Sequence, residues 1–292
     1  MKASIIISTF NRGGNLTPAL NGLAGMVVPP GVEWEVLLVD NNSTDSTKEV
    51  ILHFVKEHPE ICRYLFEGRQ GKSYALNSAV LQARGDVLVF TDDDCIPEPH
   101  WLERIATEFS SRPDLGILGG RVELLNPEDK SITIRTRRDR CVLSSASDVF
   151  FFVAGCNMAM RREVLRSVGD FDPRLCPGSR KDLVAEDADL IYRAFLKGFR
   201  IEYDPDVLVY HNHGRRSDVD VVNLNRKYLR GRGAFYAKHI LKGDRVALQM
   251  AYWEIRSVVL SLVKDLFTGK SIGEHSRVLG SLLAGAATKF TP

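Results

Sequence analysis

The chain has 292 residues, of which 44% are hydrophobic and 26% charged, and its formal net charge is +2. This is an ordinary globular composition, and the length allows one large domain or one domain plus an extension. The five cysteines are odd in number, irregularly spaced and without a Cys-x-x-Cys pair, which argues against a disulfide framework or a zinc site and favours a reducing compartment.

The N-terminal segment is too short and too quickly polar for a secretory signal, because Met1 and Lys2 run directly into a strand pattern. No uninterrupted apolar run reaches ~18 residues, so we expect no helix that spans a bilayer. We therefore expect a cytoplasmic protein, with the inner face of the plasma membrane as a peripheral location. No nucleic acid partner is expected.

The first 95 residues alternate strand patterns with helical patterns. Apolar strands are predicted at 3–8, 34–39, 62–66 and 87–90, and each of the first three precedes a polar loop and a helix. This alternation predicts βαβ units and a mostly parallel sheet. In such sheets, ligands bind outside the carboxyl ends of the strands.

Polar residues that follow these strands are candidates for ligand binding. The loop after Thr9 leads into a helix start, where backbone N–H groups can meet an anion. Asp40 could accept a hydrogen bond from a nucleobase or a ribose, or bond its own backbone in a turn. Lys72 lies at a helix start, where a cation is unfavourable unless an anion is near, although surface lysines are usually only solvated.

Three adjacent carboxylates, Asp92, Asp93 and Asp94, follow the strand that ends at Phe90. Crowding them raises the energy of the charged state unless a cation or hydrogen-bond donors compensate. In an extended exit from the strand, Asp92 and Asp94 would point to one side and Asp93 to the other. Such oxygen ligands suit Mg²⁺ or Mn²⁺ shared with substrate phosphates, and a solvated acidic turn is the alternative.

The middle of the chain contains a long polar loop. The pattern predicts a helix over 101–109, a strand over 115–125 and a loop over 126–147, which is long enough to be a functional lid or an acceptor-side insertion. Residues 149–153 and 155–160 read as one further strand.

A second acidic centre, Glu186 and Asp187, opens a helical pattern. The helix dipole favours carboxylates in a first turn, so one reading is structural. The other reading is that one of them is a general base, since a carboxylate can take a proton from a hydroxyl group. His211 and His213 follow a later strand and could ligate a metal, though such a pair is more often a surface feature.

The tail differs in charge from the rest of the chain. From Arg215 to Pro292 it has 14 Lys and Arg residues against 6 Asp and Glu residues, a net charge of +8. We therefore place a domain boundary there, between residues 1–214 and a helical extension at 215–292. The wide apolar face of the extension either packs on the body of the protein, which we favour, or lies on an anionic membrane surface.

Taken together, these segments resemble inverting glycosyltransferases of family 2 with the GT-A fold. The resemblance implies an α/β fold with a Rossmann-like nucleotide-binding half, a mostly parallel central sheet and a C-terminal helical extension. It covers about residues 3–213 and rests on the order and spacing of Ile5–Arg12, Val39–Asp45, Gly71–Asn77, Asp92–Asp94, Gly155–Arg161, Gly169–Asp172, Glu186–Leu190 and Tyr210–His211.

The resemblance also implies a role for each candidate residue. It places Thr9, Asn11 and Arg12 at the nucleotide site, Asp40 at the base and Lys72 at the donor. It places Asp92, with Asp93 beside it, at the ribose or a metal-bound water, and it makes Asp94 and Asp92 ligands of Mn²⁺ or Mg²⁺. It assigns His211 to the metal or diphosphate, Asp187 to the role of general base and Glu186 to the acceptor side.

The implied reaction moves a sugar from a nucleoside diphosphate to a hydroxyl group of a glycan or lipid-linked acceptor, in cell-surface or exopolysaccharide synthesis. UDP is the default carrier, and GDP or dTDP stay open. Two alternatives remain at this point. One is a nucleotidyltransferase that acts on sugar phosphates, and the other is a catalytically inactive module that binds a nucleotide or a glycan.

Overall fold

The structure is a computed structural model that describes residues 1–179, 181–268 and 271–288. The seven other residues, which are 180, 269–270 and 289–292, lie outside the described residues, and all but the first belong to the predicted extension. The strands of the described chain are β1 (Lys2–Thr9), β2 (Glu33–Asp40), β3 (Cys62–Phe66), β4 (Val87–Thr91), β5 (Cys95–Pro97), β6 (Leu115–Leu124), β7 (Cys141–Val142), β8 (Asn157–Arg161) and β9 (Arg200–His211).

The helices alternate with these strands and then continue alone to the end of the described chain. They are α1 (Thr17–Ala24), α2 (Thr47–Glu57), α3 (Lys72–Gln82), α4 (Trp101–Ser111), α5 (Val149–Phe152), α6 (Arg162–Val168), α7 (Glu186–Leu196), α8 (Asp218–Ile240), α9 (Arg245–Thr268) and α10 (Gly273–Ala286).

All these strands form one sheet, in the order β3-β2-β1-β4-β8-β6-β9-β5, with β7 also paired to β9. The half from β3 to β4 is parallel, as the βαβ pattern predicts, and β8 pairs antiparallel to both β4 and β6. The predicted fold class is confirmed. Because β1, β2 and β4 run in one direction, the polar residues after them lie at one edge of the sheet.

Two parts of the sheet differ from the sequence prediction. Residues 149–153 do not extend β8, because Val149–Phe152 is a short helix and the strand begins at Asn157. A short apolar run carries no period that separates strand from helix, which is why the pattern misled. The later strand that His211 is predicted to follow, β9, includes His211, and its pairing with β6 shifts register between Gly120 and Arg121.

The described chain divides into two compact units. The first contains Met1–Phe171 and Asp187–Arg216, and therefore the whole sheet. The second contains Asp172–Glu186 and the described residues from Ser217 onward, which include the helices α8, α9 and α10. The domain boundary near Arg215 stays a prediction.

Within the described residues, one helix is long and apolar enough by length and composition to cross a membrane, whereas the sequence pattern predicts none. This helix is α9, and 17% of its most apolar stretch is buried. The sequence prediction considered only an unbroken apolar run, whereas a few charged residues do not prevent a helix from being apolar on average. One such helix is by itself weak support for a membrane span.

Gly85, which lies just before β4, is in close contact with the backbone of β1. The Gly85 N–H group donates to Ser4 Oγ over 2.8 Å, and a Cβ atom at Gly85 would lie 2.5 Å from the backbone nitrogen of Ser4. The Arg162 guanidinium donates to the carbonyl oxygens of Gly85 and Ala83 at 2.6 and 2.8 Å. These contacts fix the start of the strand that ends at the three carboxylates.

We expect Gly85→Ala to destabilise the protein by about 1–3 kcal/mol, because the new methyl group would meet backbone atoms that cannot rotate away. Urea unfolding followed by circular dichroism measures the change. Gly14→Ala is the matched control, since a Cβ atom there meets nothing within 4 Å. Equal unfolding midpoints for the two variants would contradict this account of the contact.

Candidate active site

The loops that follow β1 and β2 are joined by hydrogen bonds. Asn11, at φ 53°, donates its N–H group to Ser43 Oγ over 3.0 Å and accepts from the Thr44 N–H group over 2.8 Å. The Arg12 N–H group donates to Thr47 Oγ1 over 2.8 Å. The two loops therefore form one rigid rim beside Thr9, which ends β1 and is buried.

Asp40 and its neighbour Asn41 are buried at the end of β2. Asp40 accepts from the Ser43 N–H group over 2.9 Å and from the Tyr64 hydroxyl over 3.2 Å, so the turn interaction named as the structural alternative is present. Burial and the Asp40 charge raise the pKa of Tyr64 to about 12. The nucleotide role of Asp40 stays a prediction.

The Asn41 side chain fixes the loop that carries Lys72. Its amide group donates to the carbonyl oxygens of Glu67 and Arg69, at 3.1 and 2.7 Å, and its oxygen accepts from the Gly71 N–H group at 2.9 Å. Gly71 has φ 134°, a conformation that favours glycine, and it precedes Lys72 at the start of α3. Sequence reasoning missed Asn41, although an amide next to a strand-end aspartate was the available signal.

The three carboxylates form a turn rather than an extended exit. The Cys95 N–H group donates to the Asp92 carbonyl over 3.1 Å, which closes the turn. As a result, Asp93 does not point away from Asp94, because the Arg12 guanidinium lies 3.5 Å from the first and 3.2 Å from the second. Asp92 forms an ion pair with Lys72. The predicted alternation failed because it assumed strand geometry beyond Thr91.

Burial and the neighbouring Asp94 charge raise the pKa of Asp93 to about 6. Burial would also raise the pKa of Asp94, but the hydrogen bond and charge of His211 lower it below its usual range. The His211 Nε2 atom lies 3.2 Å from Asp94 Oδ1. For the same reason the pKa of His211 is raised, although burial opposes its charged form. The carboxylates are thus crowded enough to need the three cations around them.

His211 is held in one orientation by the long loop at 126–147. The Thr133 hydroxyl donates to the Ile132 carbonyl over 2.6 Å, so its oxygen is left to accept from His211 Nδ1, which lies 3.1 Å away. The Nδ1 atom therefore carries a proton, and Nε2, which is protonated where it faces Asp94, must lose its proton to bind a cation. A hydrogen bond to one ring nitrogen that leaves the other for a cation is the usual arrangement in metal sites.

This set of groups fits Mn²⁺ or Mg²⁺. Asp92 and Asp94 supply the oxygen ligands that these cations prefer, and His211 supplies a nitrogen. The Arg12 guanidinium lies against the same carboxylates and neutralises part of their charge. His213 is less suitable, because its Nδ1 atom accepts from the Arg215 N–H group and lies 3.7 Å from Asp129.

Asp187 lies in the first turn of α7 and is partly exposed. Its carboxylate accepts from the Gly155 N–H group over 3.1 Å and from the Ala188 N–H group over 2.7 Å, so its direction is fixed. Glu186 is buried, at 4% exposed, and belongs to the second unit. Of the two acids, Asp187 is therefore the one within reach of a solvent-borne hydroxyl group.

A short connection links Asp187 to the acidic turn. The residue after Gly155 is Cys156, whose thiol lies within 4.8 Å of Cys95 Sγ and of a ring nitrogen of His211. His211 in turn contacts Asp94. The structure thus brings together Arg12, Lys72, the three carboxylates, His211 and Asp187, while Thr9, Asn11 and Asp40 form the adjoining rim.

Asn157 supports the site from behind, and the sequence alone assigns it no role. Its buried side chain accepts from the Trp101 indole N–H group over 2.8 Å and donates to the carbonyl oxygens of Arg121 and Val207, both at 2.8 Å. It therefore joins β8 to β6 and β9 behind the site. A polar amide inside an apolar strand pattern was the signal that could have identified it.

Comparison with known protein families gives two matches to this chain. The model for "Glycosyl transferase family 2" matches residues 4–169, which is more than half of the chain, and that for "Glycosyl transferase family group 2" matches residues 87–283. The first match contains the acidic turn, and the second continues through Asp187 and His211.

Among characterised relatives, the glycosyltransferase AglE of Haloferax volcanii is 29% identical over 212 residues, which is 71% of this chain and 66% of AglE. The mannosyltransferase PcManGT of Pyrobaculum calidifontis, solved with GDP-Man and Mn²⁺, superposes with a TM-score of 0.64 at 20% identity and covers 97% of this chain and 85% of its own. TarS 1–349 of S. aureus, solved with UDP-GlcNAc, superposes with a TM-score of 0.64 at 19% identity, and the match covers 98% of this chain and 82% of the TarS chain.

The matched part of the chain spans 50 to 66% of the length of three curated relatives. At these identities, the likeness to solved structures concerns the fold.

We expect Arg12→Gln to bind Mn²⁺ roughly threefold to tenfold more tightly than the unchanged protein when nucleotide is absent. The reason is that the guanidinium contacts both Asp93 and Asp94 and repels a second cation there. Electron paramagnetic resonance of free Mn²⁺ measures the affinity. The matched control is Arg138→Gln, whose arginine pairs with Glu123 at the surface. Weaker Mn²⁺ binding by Arg12→Gln than by this control would contradict the assignment.

Proposed function

The chain belongs to glycosyltransferase family 2 and is a glycosyltransferase with a GT-A fold, and from that premise we propose a metal-dependent, inverting transfer of a sugar from a nucleoside diphosphate to an acceptor hydroxyl group. The observation that carries the proposal is the acidic turn neutralised by Arg12, Lys72 and His211, next to an oriented and partly exposed Asp187. Family membership decides against the nucleotidyltransferase that the sequence left open.

The donor side of the reaction uses the edge formed by β1, β2 and β4. Asp40 and Asn11, on the rim, would contact the base and the ribose, with Thr9 beneath them. Arg12 and Lys72 form ion pairs with the carboxylates, and both can turn toward a diphosphate once a divalent cation takes over those carboxylates. Asp92, Asp94 and His211 would hold that cation, which supplies positive charge to the leaving diphosphate.

The acceptor side of the reaction uses Asp187. The two N–H groups that bond its carboxylate hold it in one direction. An acceptor hydroxyl group gives its proton to Asp187 as the oxygen forms a bond to the anomeric carbon of the sugar. The bond from that carbon to the diphosphate oxygen breaks on the opposite face, so the configuration inverts and no protein nucleophile is needed. Glu186 would shape the acceptor side.

Comparison with relatives supports a nucleotide-sugar donor but leaves the carrier open. UDP is the carrier we favour, in line with UDP-GlcNAc in TarS, whereas PcManGT was solved with GDP-Man and Mn²⁺. A poly-beta-1,6-N-acetyl-D-glucosamine synthase of Staphylococcus epidermidis is 22% identical over 213 residues. We therefore propose a glycan or lipid-linked acceptor in the synthesis of a cell-surface polysaccharide.

We propose that the protein is cytoplasmic and that α9 lies on the inner face of the membrane. Trp253 and Phe267 are 51% and 88% exposed, and other large apolar side chains of the same helix are exposed as well, including Leu248, Tyr252, Leu260 and Leu266. Exposed apolar surface of this extent marks an interaction site. The net charge of +8 from Arg215 onward favours an anionic bilayer as the partner.

We expect Asp187→Asn to lower sugar transfer, and the slow hydrolysis of the donor by water, by about 100-fold or more, because the amide cannot accept the proton. Donor affinity is expected to stay within a few-fold of the unchanged protein, since Asp187 lies away from the rim that receives the nucleotide. Release of nucleoside diphosphate measures the rate, and calorimetry measures the affinity.

Glu163→Gln, an exposed carboxylate on α6, is the control for this substitution. Gly155→Ala is a second test, because its Cβ atom would lie 3.0 Å from Asp187 Oδ2 and displace the carboxylate. Both Asp187→Asn and Gly155→Ala should lose rate without losing donor binding. An unchanged rate in Asp187→Asn would remove Asp187 from the role of base.

The membrane proposal predicts that the protein sediments with vesicles that contain phosphatidylglycerol and much less with vesicles of phosphatidylcholine alone. Replacing both Trp253 and Phe267 by Gln should abolish most of this binding, because it removes apolar area from the inserted face. Leu81→Gln is the matched control, since Leu81 is 84% exposed on α3. Equal sedimentation with both vesicle types, or dimerisation through the same residues, would contradict the proposal.

A further inference from the structure

Two buried thiols lie directly beside the acidic turn. Cys95 follows Asp94, and Cys156 precedes β8. One ligand atom from each of Cys95, Cys156 and His211 lies within 4.8 Å of the other two, and all three residues are buried, at 0, 6 and 5% exposed. Neither thiol has a part in the proposed transfer reaction.

The backbone holds these three side chains in place. Cys95 and His211 are opposite one another in the antiparallel pair of β5 and β9. The Asn157 N–H group donates to the Ala154 carbonyl over 2.9 Å, and the Asn157 side chain bonds two neighbouring strands, so the segment that carries Cys156 is fixed on both sides. The cluster is therefore organised by the sheet itself rather than by mobile side chains.

We propose that Cys95, Cys156 and His211 form a binding site for a thiophilic divalent cation such as Zn²⁺, with Asp94 as the fourth ligand. Asp94 Oδ1 lies 3.9 Å from Cys95 Sγ and 3.2 Å from His211 Nε2, so it is adjacent to two of the three residues and can supply the fourth ligand. Two sulfurs, one imidazole nitrogen and one carboxylate oxygen are a ligand set that Zn²⁺ accepts in tetrahedral geometry. Thiolate ligands favour Zn²⁺ over Mg²⁺ and Mn²⁺.

The spacing of the ligand atoms is close to that of a tetrahedral site. Zinc bond lengths of about 2.3 Å to sulfur and 2.0 Å to nitrogen place neighbouring ligand atoms roughly 3.3–3.8 Å apart. The ligand atoms of Cys95, Cys156 and His211, which lie within 4.8 Å of one another, would therefore have to approach by no more than about 1.5 Å. On binding, both thiols lose their protons to the buffer, and the cation compensates the charge of the two thiolates and of Asp94.

The cysteine spacing in the sequence gave no sign of this site. The absence of a Cys-x-x-Cys pair argues against a zinc site in the sequence. Cys95 and Cys156 are 61 positions apart. They meet only because β8 returns between β4 and β6 and β9 brings His211 against β5. Zinc ligands contributed by separate strands cannot be detected from local spacing.

The thiol site shares Asp94 and His211 with the site proposed for Mn²⁺ or Mg²⁺. If the proposed function holds, the two cations exclude each other, and Zn²⁺ lowers Mn²⁺-dependent binding of the donor nucleotide. Cys156→Ser would then relieve the inhibition by Zn²⁺ and leave the response to Mn²⁺ intact. This consequence rests on the proposed function, whereas the existence of the thiol site does not.

The test uses the full-length protein, kept reduced and stripped of metal by a chelator, and titrates it with Co²⁺ in place of Zn²⁺. We expect one Co²⁺ per chain, with a thiolate-to-cobalt charge-transfer band in the near ultraviolet and the intense visible bands of a tetrahedral site. Added Zn²⁺ should bleach both, because this ligand set binds Zn²⁺ more tightly than Co²⁺.

Cys95→Ser and Cys156→Ser should each weaken the charge-transfer band and lower the cobalt affinity by about 100-fold or more, and the double variant should lose the band. Cys141→Ser is the matched control, since Cys141 lies in β7, away from the cluster. Circular dichroism establishes that each variant is folded. If substitution of Cys95, which is 0% exposed, prevents folding, Cys156→Ser provides the test, since Cys156 is 6% exposed.

Weak octahedral bands without charge transfer, or a charge-transfer band that survives in the folded Cys156→Ser protein at full strength, would overturn the thiol site. Failure of the proposed function has a different signature, because the cobalt spectrum would then be as expected while no nucleotide binds with Mn²⁺. The two proposals therefore fail independently.

Discussion

The structure depends on how three carboxylates are neutralised at the end of a buried strand. Each residue of β4 is buried, so Asp92, Asp93 and Asp94 leave the sheet in a place with little water. Crowded carboxylates in such a place are stable only beside cations, and Arg12, Lys72 and His211 come from three other segments to supply them. This need for positive charge explains why the turn can receive a divalent cation.

Backbone contacts and buried amide side chains hold these charged groups in position. Asn41 fixes the start of α3, and therefore Lys72. Thr133 bonds Nδ1 of His211, so Nε2 is the ring nitrogen that faces Asp94. Asn157 joins the strands behind Cys156, and Gly155 directs Asp187. These contacts hold the backbone of the site, His211 and Asp187 in place, so that the side chains of Arg12 and Lys72 are the groups that move on binding, and fixed polar groups are the condition for electrostatic catalysis.

The parallel half of the sheet and the acids at its edge could be predicted from the sequence, because strand periods and turn residues are local signals. Asp40, Lys72 and the three carboxylates were identified in this way. The helix at Val149–Phe152 could not be, since a run of apolar residues lacks a period. Nor could the meeting of Cys95 with Cys156, because it depends on the order of strands across the sheet.

The most direct measurement is calorimetric titration of the protein with UDP, GDP and dTDP, each with and without Mn²⁺. The account predicts that one of them binds only with Mn²⁺ and that Asp94→Ala abolishes this binding. Asp206→Ala, which removes a carboxylate that is 71% exposed, should leave it unchanged. Binding that is indifferent to Mn²⁺ and to Asp94, or no binding by the folded protein, would contradict the claim that the acidic turn is the donor site.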